Sequence, residues 1–429
     1  TISAASGNVT LNTATNNFQG AVAIDGVNVI VVDAGAIDLG ASTVTGTYAV
    51  TATAGGDITD SGVLTITGLA TFTAASGQNV TLNETSTFSS DVNFTTASGN
   101  LANVTITDTT DFEIQALTLT GNLGVTSTGG SITDDGALAI SGTSSFTTSA
   151  SNEDITLDIT TNAFTGAVAL NTTGSTGNAE VDGGTTQLII AASTVGGNLK
   201  LTSGNATGIT DSGTVTVSGN LIAVNDVSNG DINMGTLAVD GTIALVTTGT
   251  EGDVTLVNDA GLDFATSSIG GDLTATATTL NISDSGALTV TGETNIYLGT
   301  NPILSVAGAT TATDINGNTI TLDISVFTGG ITLHYENVLL PDDNSDIDLA
   351  RQVTFAEFLF ALNQNITKIY GSYEEMQNDI LWMYKLFRDS FPEQEQFLEV
   401  FRKPSPNQVK LKKIKANANK NNVSEGKEL

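Results

Sequence analysis

The chain of 429 residues carries 45 Asp and Glu against 13 Lys and Arg, a formal net charge of −32 at pH 7, with 46 Gly, one His and no Cys. Thiol nucleophiles, disulfide frameworks and thiolate metal sites are thereby excluded, and so is any mechanism needing two histidines, since His334 stands alone. Residues 1–350 hold 35 acidic residues and one basic residue, Lys200, whereas the remaining 79 hold 10 and 12, so two regions of different physical chemistry are joined.

From the amino terminus, Thr1 begins without a basic segment followed by an apolar one, the expectation for a processed secretory protein or an internal piece of a longer one. A single-sign field of this size repels nucleic acid and anionic lipid. No apolar run reaches the roughly 18 residues of a membrane helix, so no membrane span is expected.

Repeats organise the first region. Ile58-Thr59-Asp60-Ser61-Gly62 returns at Ile132–Gly136, Ile209–Gly213 and Ile282–Gly286, at intervals of 74, 77 and 73 residues. An alternating strand follows each copy, as in Val63-Leu64-Thr65-Ile66-Thr67-Gly68. Val9-Thr10-Leu11-Asn12 returns at 80–83, 155–158 and, after a skipped copy, 320–323, while Phe18 to Ile24 is echoed at 88–94, 164–170 and 327–333. A fixed period of this kind is the mark of a repeat architecture. Apolar residues alternate with Thr, Asn, Ser or Asp over four to six positions and stop at Gly, which predicts short half-buried strands between tight turns.

Many short strands in an open sheet would leave long edges, whereas a parallel β-helix pairs each with the coil above and below. The predicted fold class is therefore an all-β parallel β-helix, a solenoid over residues 1–340 of about 75-residue super-repeats, followed by a small α-helical C-terminal region. Coils of roughly 19 to 25 residues, usual for such solenoids, make three or four coils per super-repeat. At about 4.8 Å per coil the rod is on the order of 65 to 85 Å long.

The stretch from Gly55 to Asn83 resembles the β-helical repeats of filamentous haemagglutinin-type adhesins and related β-strand-repeat surface proteins of bacteria, a likeness running over residues 1–335. That resemblance implies a bacterial, secreted or cell-surface rod that carries adhesive patches, and the lack of Cys suits passage through the envelope unfolded. The secretion domain of that family, with its Asn-Pro motifs, has no counterpart here; Asn-Pro occurs at Asn301-Pro302, deep in the chain.

Candidate chemistry is sparse. Asp60, Asp134, Asp211 and Asp284 stand roughly 14 to 19 Å apart if three or four coils separate them, too far to share a Ca²⁺ ion, and are expected to cap their own turns into Ser-Gly or Asp-Gly. Asp134-Asp135 offers a carboxylate pair, but Ser holds the second position in the other copies, as turn variation would have it. Lys200 cannot supply the basic cluster that β-helical polysaccharide lyases use, and His334 is expected to face solvent or pack in a cap. Thr-x-Thr pairs at Thr65, Thr105 and Thr118 resemble ice-binding faces without one pair per coil, as exposed strand positions favour Thr anyway. No catalytic, cofactor-binding or metal site is assigned, and only diffuse Ca²⁺ association is expected.

Beyond Pro341–Ser345 the texture changes. Phe355, Leu359, Leu362, Ile366, Ile369, Tyr373, Met376, Ile380, Met383 and Phe387 keep steps of four and three, a heptad seam. Thr354 with Glu357 and Ser372 with Glu375 make capping boxes, so two helices meeting at Gly371 compete with one continuous helix. Residues 346–403 are expected to form a helical cap or a coiled-coil module, with homo-oligomerisation through residues 355–387, and 404–429 a basic disordered tail. The whole predicts a non-catalytic extracellular adhesin-like β-solenoid, its partner a host or microbial surface glycan or protein; the alternatives are a β-helical carbohydrate-active protein and a structural surface-layer or biofilm matrix component.

Overall fold

Alternation of β-branched and small polar residues leaves the chain little choice but strand, since Thr, Val and Ile lose side-chain freedom in a helix and pack well on a pleated surface. A computed structural model describes residues 1–336 apart from 5, 300, 301, 303 and 315. Every regular element among them is a strand, from Ile2–Ser3 to Ile331–Tyr335. In Val104–Asp108 the first, third and fifth residues are buried and the two threonines between them face outward. The expected helices at 346–403, the seam at 355–387 and the tail at 404–429 lie outside the described residues.

Successive coils pair in parallel. The step from a strand to its neighbour above runs from 18 residues, Asp25 to Thr43, to 24, Ile155 to Ala179. The result is a parallel β-solenoid of about 13 turns, roughly 62 Å long at ~4.8 Å per turn.

Each coil has two halves. One half is a long strand such as Tyr48–Ala52; the other is a pair of short strands joined by a corner, such as Ile58–Asp60 and Leu64–Ile66. Long strands stack on long strands for four coils, Val29–Asp33, Tyr48–Ala52, Ala70–Ala74 and Val92–Thr96. The arrangement then reverses. Val104–Asp108, next in sequence, stacks on the short strand of Val80–Phe88, and the short Phe112–Ile114 lies over Val92–Thr96. The same exchange recurs where Leu237 and Ile232 meet Val254–Asn258, and the long strands that open each super-repeat begin at Val29, Val104, Ala179 and Val254, a spacing of 75.

A super-repeat therefore holds three turns plus the half turn between Val92–Thr96 and Val104–Asp108, in place of the three or four whole coils expected. Equivalent sequence positions land on opposite faces in alternate super-repeats. We call the face containing Leu199–Ser203 the lysine face and the face containing Val104–Asp108 the threonine face.

Between them lies one continuous core of Val, Ile, Leu and Phe from Val9 to Tyr335. Aromatic rings stack along it: Phe72 meets Tyr48 edge-on at 6.0 Å and lies parallel to Phe94 at 6.1 Å, and Phe146 meets Phe164 edge-on at 6.2 Å. Coils approach closely at the corners that enter long strands. A Cβ on Gly219 would sit 2.6 Å from the Gly197 carbonyl oxygen, which is why Gly recurs there.

One step breaks the period. Ile282 pairs with Ile320, 38 residues on, because residues 299–318 form an insert between coils. Its strand Leu304–Ala307 pairs antiparallel with Ile331–Tyr335, and Thr311–Thr313 pairs antiparallel with Thr319–Thr321. The insert thus covers the outer edges of Ile331–Tyr335 and of Thr319–Thr321.

Candidate functional site

The four repeated aspartates end the first short strand of their coils, and their position does not match the expected one. Asp60 accepts backbone N–H groups from Asn83 (2.9 Å) and Glu84 (3.4 Å), which belong to the next coil. Asp211 likewise accepts from the N–H of Gly235 (2.9 Å) and Thr236 (2.6 Å), Asp134 from the side-chain amide of Asn162 (2.7 Å), and Asp284 from the N–H of Ile324 and the hydroxyl of Ser325. They cap the corner of the coil above, not their own turn, because the corner there is where the strand ladder breaks and leaves donors unpaired. They also alternate between faces: Asp60 and Asp211 belong to the threonine face, Asp134 and Asp284 to the lysine face.

A second set went unseen in the sequence. Asp33, Asp108 and Asn258 are fully buried at the fifth position of the long strand that opens a super-repeat. Asp33 accepts the N–H of Phe18 (2.7 Å), Asp108 that of Phe88 (3.1 Å) and Asn258 that of Val239 (2.8 Å). Here a long strand meets a pair of short ones, and the mismatch strands one donor that the side chain satisfies. The signal was available, as Val29-Ile30-Val31-Val32-Asp33 and Val104-Thr105-Ile106-Thr107-Asp108 share a terminal Asp at the 75-residue spacing.

Corners carry a third set, ladders in which one side-chain oxygen accepts the backbone N–H one coil up. Asp154 reaches Asn178 (2.7 Å), Asn178 reaches Asn198 (2.8 Å), Asn198 reaches Asn220 (2.8 Å) and Asn220 reaches Thr242 (2.9 Å). A shorter ladder is acidic, from Asp231 to Asp253 (3.0 Å), Asp272 (2.8 Å) and Glu293 (2.8 Å).

Burial raises the carboxyls of Asp60, Asp108, Asp134 and Asp182 above the ordinary value of 3.8, against the opposing pull of their hydrogen bonds. Asp60, Asp108 and Asp134 hold coils together, whereas Asp182 accepts the N–H of Gly184 (2.7 Å) within its own turn. Asp135 lies at the corner after Asp134, where its N–H donates to the Ile114 carbonyl (3.0 Å), as turn variation requires.

The faces present other chemistry. From Thr59 to His334 the outward residues in ladder register on the threonine face are uncharged, with Glu84 placed at a bulge between paired residues. Columns run through Thr59, Thr81 and Thr105 and through Thr107, Thr126 and Thr147. The sequence hid them, because stacked threonines come from separate strands and not from adjacent Thr-x-Thr pairs. Gly124 and Ser145 interrupt the first column, and the hydroxyls of Thr87 and Thr109 bond to one another (2.6 Å), so no uniform hydroxyl lattice results.

On the lysine face Glu113, Glu180, Asp182 and Asp263 point outward, and the Lys200 ammonium lies 2.6 Å from the Glu180 carboxylate, which raises its pKa. His334 stacks on Tyr297 with ring centroids 4.2 Å apart. Its Nδ1 is 2.8 Å from the Ser305 hydroxyl and its Nε2 3.2 Å from Asn295 Oδ1, and burial lowers its pKa. Ser305, His334 and Asn295 are thus in contact, with the imidazole held between the insert and the neighbouring coil. The histidine packs under the insert.

Among the described residues no three His, Asp or Glu come together as a metal site, and no helix is long and apolar enough to cross a membrane. A family model described as Repeats of unknown function (DUF5649) matches residues 1–25, 26–95, 101–171 and 251–304. Its two longest matches begin just before the long strands at Val29 and Val104 and end in the fourth long strand of each set, so the unit defined by sequence is the unit bounded by the half turn. No curated protein and no solved structure matches the chain.

Proposed function

The chain belongs to the family of repeats of unknown function (DUF5649), and from that premise we propose that it is a non-catalytic, extracellular adhesin-like rod of bacterial surfaces. Multivalent display is its task. One observation carries this reading: each half turn repeats the same corner and strand features on the opposite face, so equivalent outward positions recur on one face every seven coils, or ~34 Å, a regular spacing on which to display contacts. Weak contacts repeated along a stiff rod multiply into firm attachment when the partner surface repeats as well. The polar side chains nearest to a catalytic arrangement are engaged in holding coils together, which favours display over carbohydrate chemistry. The uncharged threonine face favours, as a second reading, a structural surface-layer or matrix component in which rods lie against neutral material.

The partner is a surface glycan or protein. Divalent cations associate diffusely, because 35 acidic residues against Lys200 over residues 1–350 put one net charge on roughly every 2 Å of rod, approaching the ~1.7 Å of duplex DNA. The full chain applied to arrays of glycans and surface proteins is expected to bind with an apparent affinity that rises with ligand density. Cleavage of any arrayed polysaccharide, or binding indifferent to density, would contradict the display reading.

A further inference from the structure

Four sets of stacked long strands give the rod four panels, two on each face, opening at Val29, Val104, Ala179 and Val254. Inward they repeat one pattern, so their outward residues can be compared place by place. At the outward ladder positions of the first, second and fourth panels there is no Asp, Glu, Lys or Arg. The third differs. One of its columns runs Glu180, Lys200, Ile222, Ala244 and the other Asp182, Thr202, Val224, Val246, each residue one coil above the last.

Two coils of this panel are therefore ionic and the next two apolar. Lys200, the one Lys or Arg of residues 1–350, lies 2.6 Å from Glu180, and Asp158 and Asp182 also act on its ammonium. Three carboxylates around one ammonium leave the patch negative. Ile222 is 39% exposed, with Val224, Ala244 and Val246 partly buried beside it. Folding requires neither feature. In the first panel Thr71 and Thr73 stand where the third has Ile222 and Val224, and Ile30 and Val32 stand where it has Glu180 and Asp182. A half-exposed ion pair also adds little stability.

A partner of matching chemistry supplies positive charge and aliphatic surface side by side. Aliphatic contact is rewarded by release of water from both surfaces, and a charge pair at its edge fixes orientation. The ionic end and the far apolar end stand three coil steps apart, roughly 14 Å. In an extended chain the side chains on one side recur every ~7 Å, so three alternate residues cover the same span. No aromatic residue occupies an outward ladder position of the panel for a sugar ring to stack on, which favours a peptide over a glycan.

We propose that the third panel is a docking site for an extended segment of a surface protein, which sets a basic side chain against Glu180 and Asp182 and aliphatic side chains on Ile222, Val224, Ala244 and Val246. Present once per rod, this site does not depend on multivalent display. The test is fluorescence anisotropy of the full 429-residue chain with a labelled peptide that alternates Thr with Arg, Val and Ile. Binding is expected to be about tenfold tighter than with Glu in place of Arg. Ile222→Thr with Val224→Thr is expected to weaken it about fivefold, whereas Ile30→Thr with Val32→Thr, on the apolar but uncharged first panel, leaves it unchanged. Should the first double variant fail to fold, Val246→Thr, matching Thr95 of the first panel, is expected to weaken binding in its place. No binding by the parent overturns the proposal. So does a loss shared equally by both double variants or shown by neither, as attraction to the acidic rod at large would give. Density-dependent attachment to arrays that survives Ile222→Thr with Val224→Thr would remove this site and leave multivalent display standing.

Discussion

Inside the solenoid the lysine and threonine faces are interchangeable, because each 75-residue unit hands its long strands from one face to the other. Val29–Asp33 and Val104–Asp108 end in the same buried Asp on opposite sides of the rod. Outside they differ. Ladder positions of the threonine face are uncharged from Thr59 to His334, while the lysine face presents Glu113, Glu180, Lys200 and Asp263. Folding imposes the inward residues of both faces alike, so the outward difference is not a requirement of the fold.

The largest expected effects test the inner equivalence. Phe72 on the lysine face and Phe146 on the threonine face are both fully buried, and replacing either with Ala is expected to cost ~3–5 kcal/mol. Denaturant titrations giving clearly unequal losses would break the comparison. Next come the buried acids that open each super-repeat. Asp33→Ala and Asp108→Ala are each expected to destabilise by ~1–3 kcal/mol by orphaning a buried N–H, whereas Asp108→Asn is tolerated, as Asn258 does the same work.

Acidity gives a smaller effect of definite sign. Asp60, Asp108, Asp134 and Asp182 have carboxyls raised by burial, so the folded chain binds protons more tightly than the unfolded one. Stability rises as pH falls through their raised folded values and levels off below 3.8, the ordinary value. His334, lowered by burial, acts oppositely below 6.5, but a single histidine faces four carboxyls. Melting temperature is expected to increase as pH falls from 7 toward 3.8; a decrease would show that the paired polar groups outweigh the desolvated ones. Smallest is Lys200→Ala, which removes a half-exposed ion pair with Glu180 and is expected to change stability by no more than ~0.5 kcal/mol.

How much of this could be read from the sequence depends on what a repeat reports. Ile58–Gly62 and its copies gave strand, turn and period, and hence a solenoid, because those follow from alternation and Gly placement along the chain. Azimuth around the rod leaves a fainter trace. The half turn shows only as two long strands, Val92–Thr96 and Val104–Asp108, with no pair of short strands between them. For the same reason the partners of Asp60 were misplaced, since a hydrogen bond to Asn83 in the next coil cannot be told from a local cap by spacing alone. The insert left a clue in the skipped Val-Thr-Leu-Asn copy, where Ile155 to Ile320 exceeds two periods.

Three and a half turns per super-repeat is the claim on which the faces and the alternating aspartates both rest. A chain without Cys allows it to be tested with paired cysteines and a short thiol crosslinker. Thr105 lies directly over Thr81 on the threonine face, whereas Asn93, nearer in sequence, is outward on the lysine face. The account predicts that Thr81→Cys with Thr105→Cys crosslinks readily and that Asn93→Cys with Thr105→Cys does not. Crosslinking of Asn93→Cys with Thr105→Cys, and not of the first pair, would mean that long strands stack on long strands throughout and that the half turn does not exist.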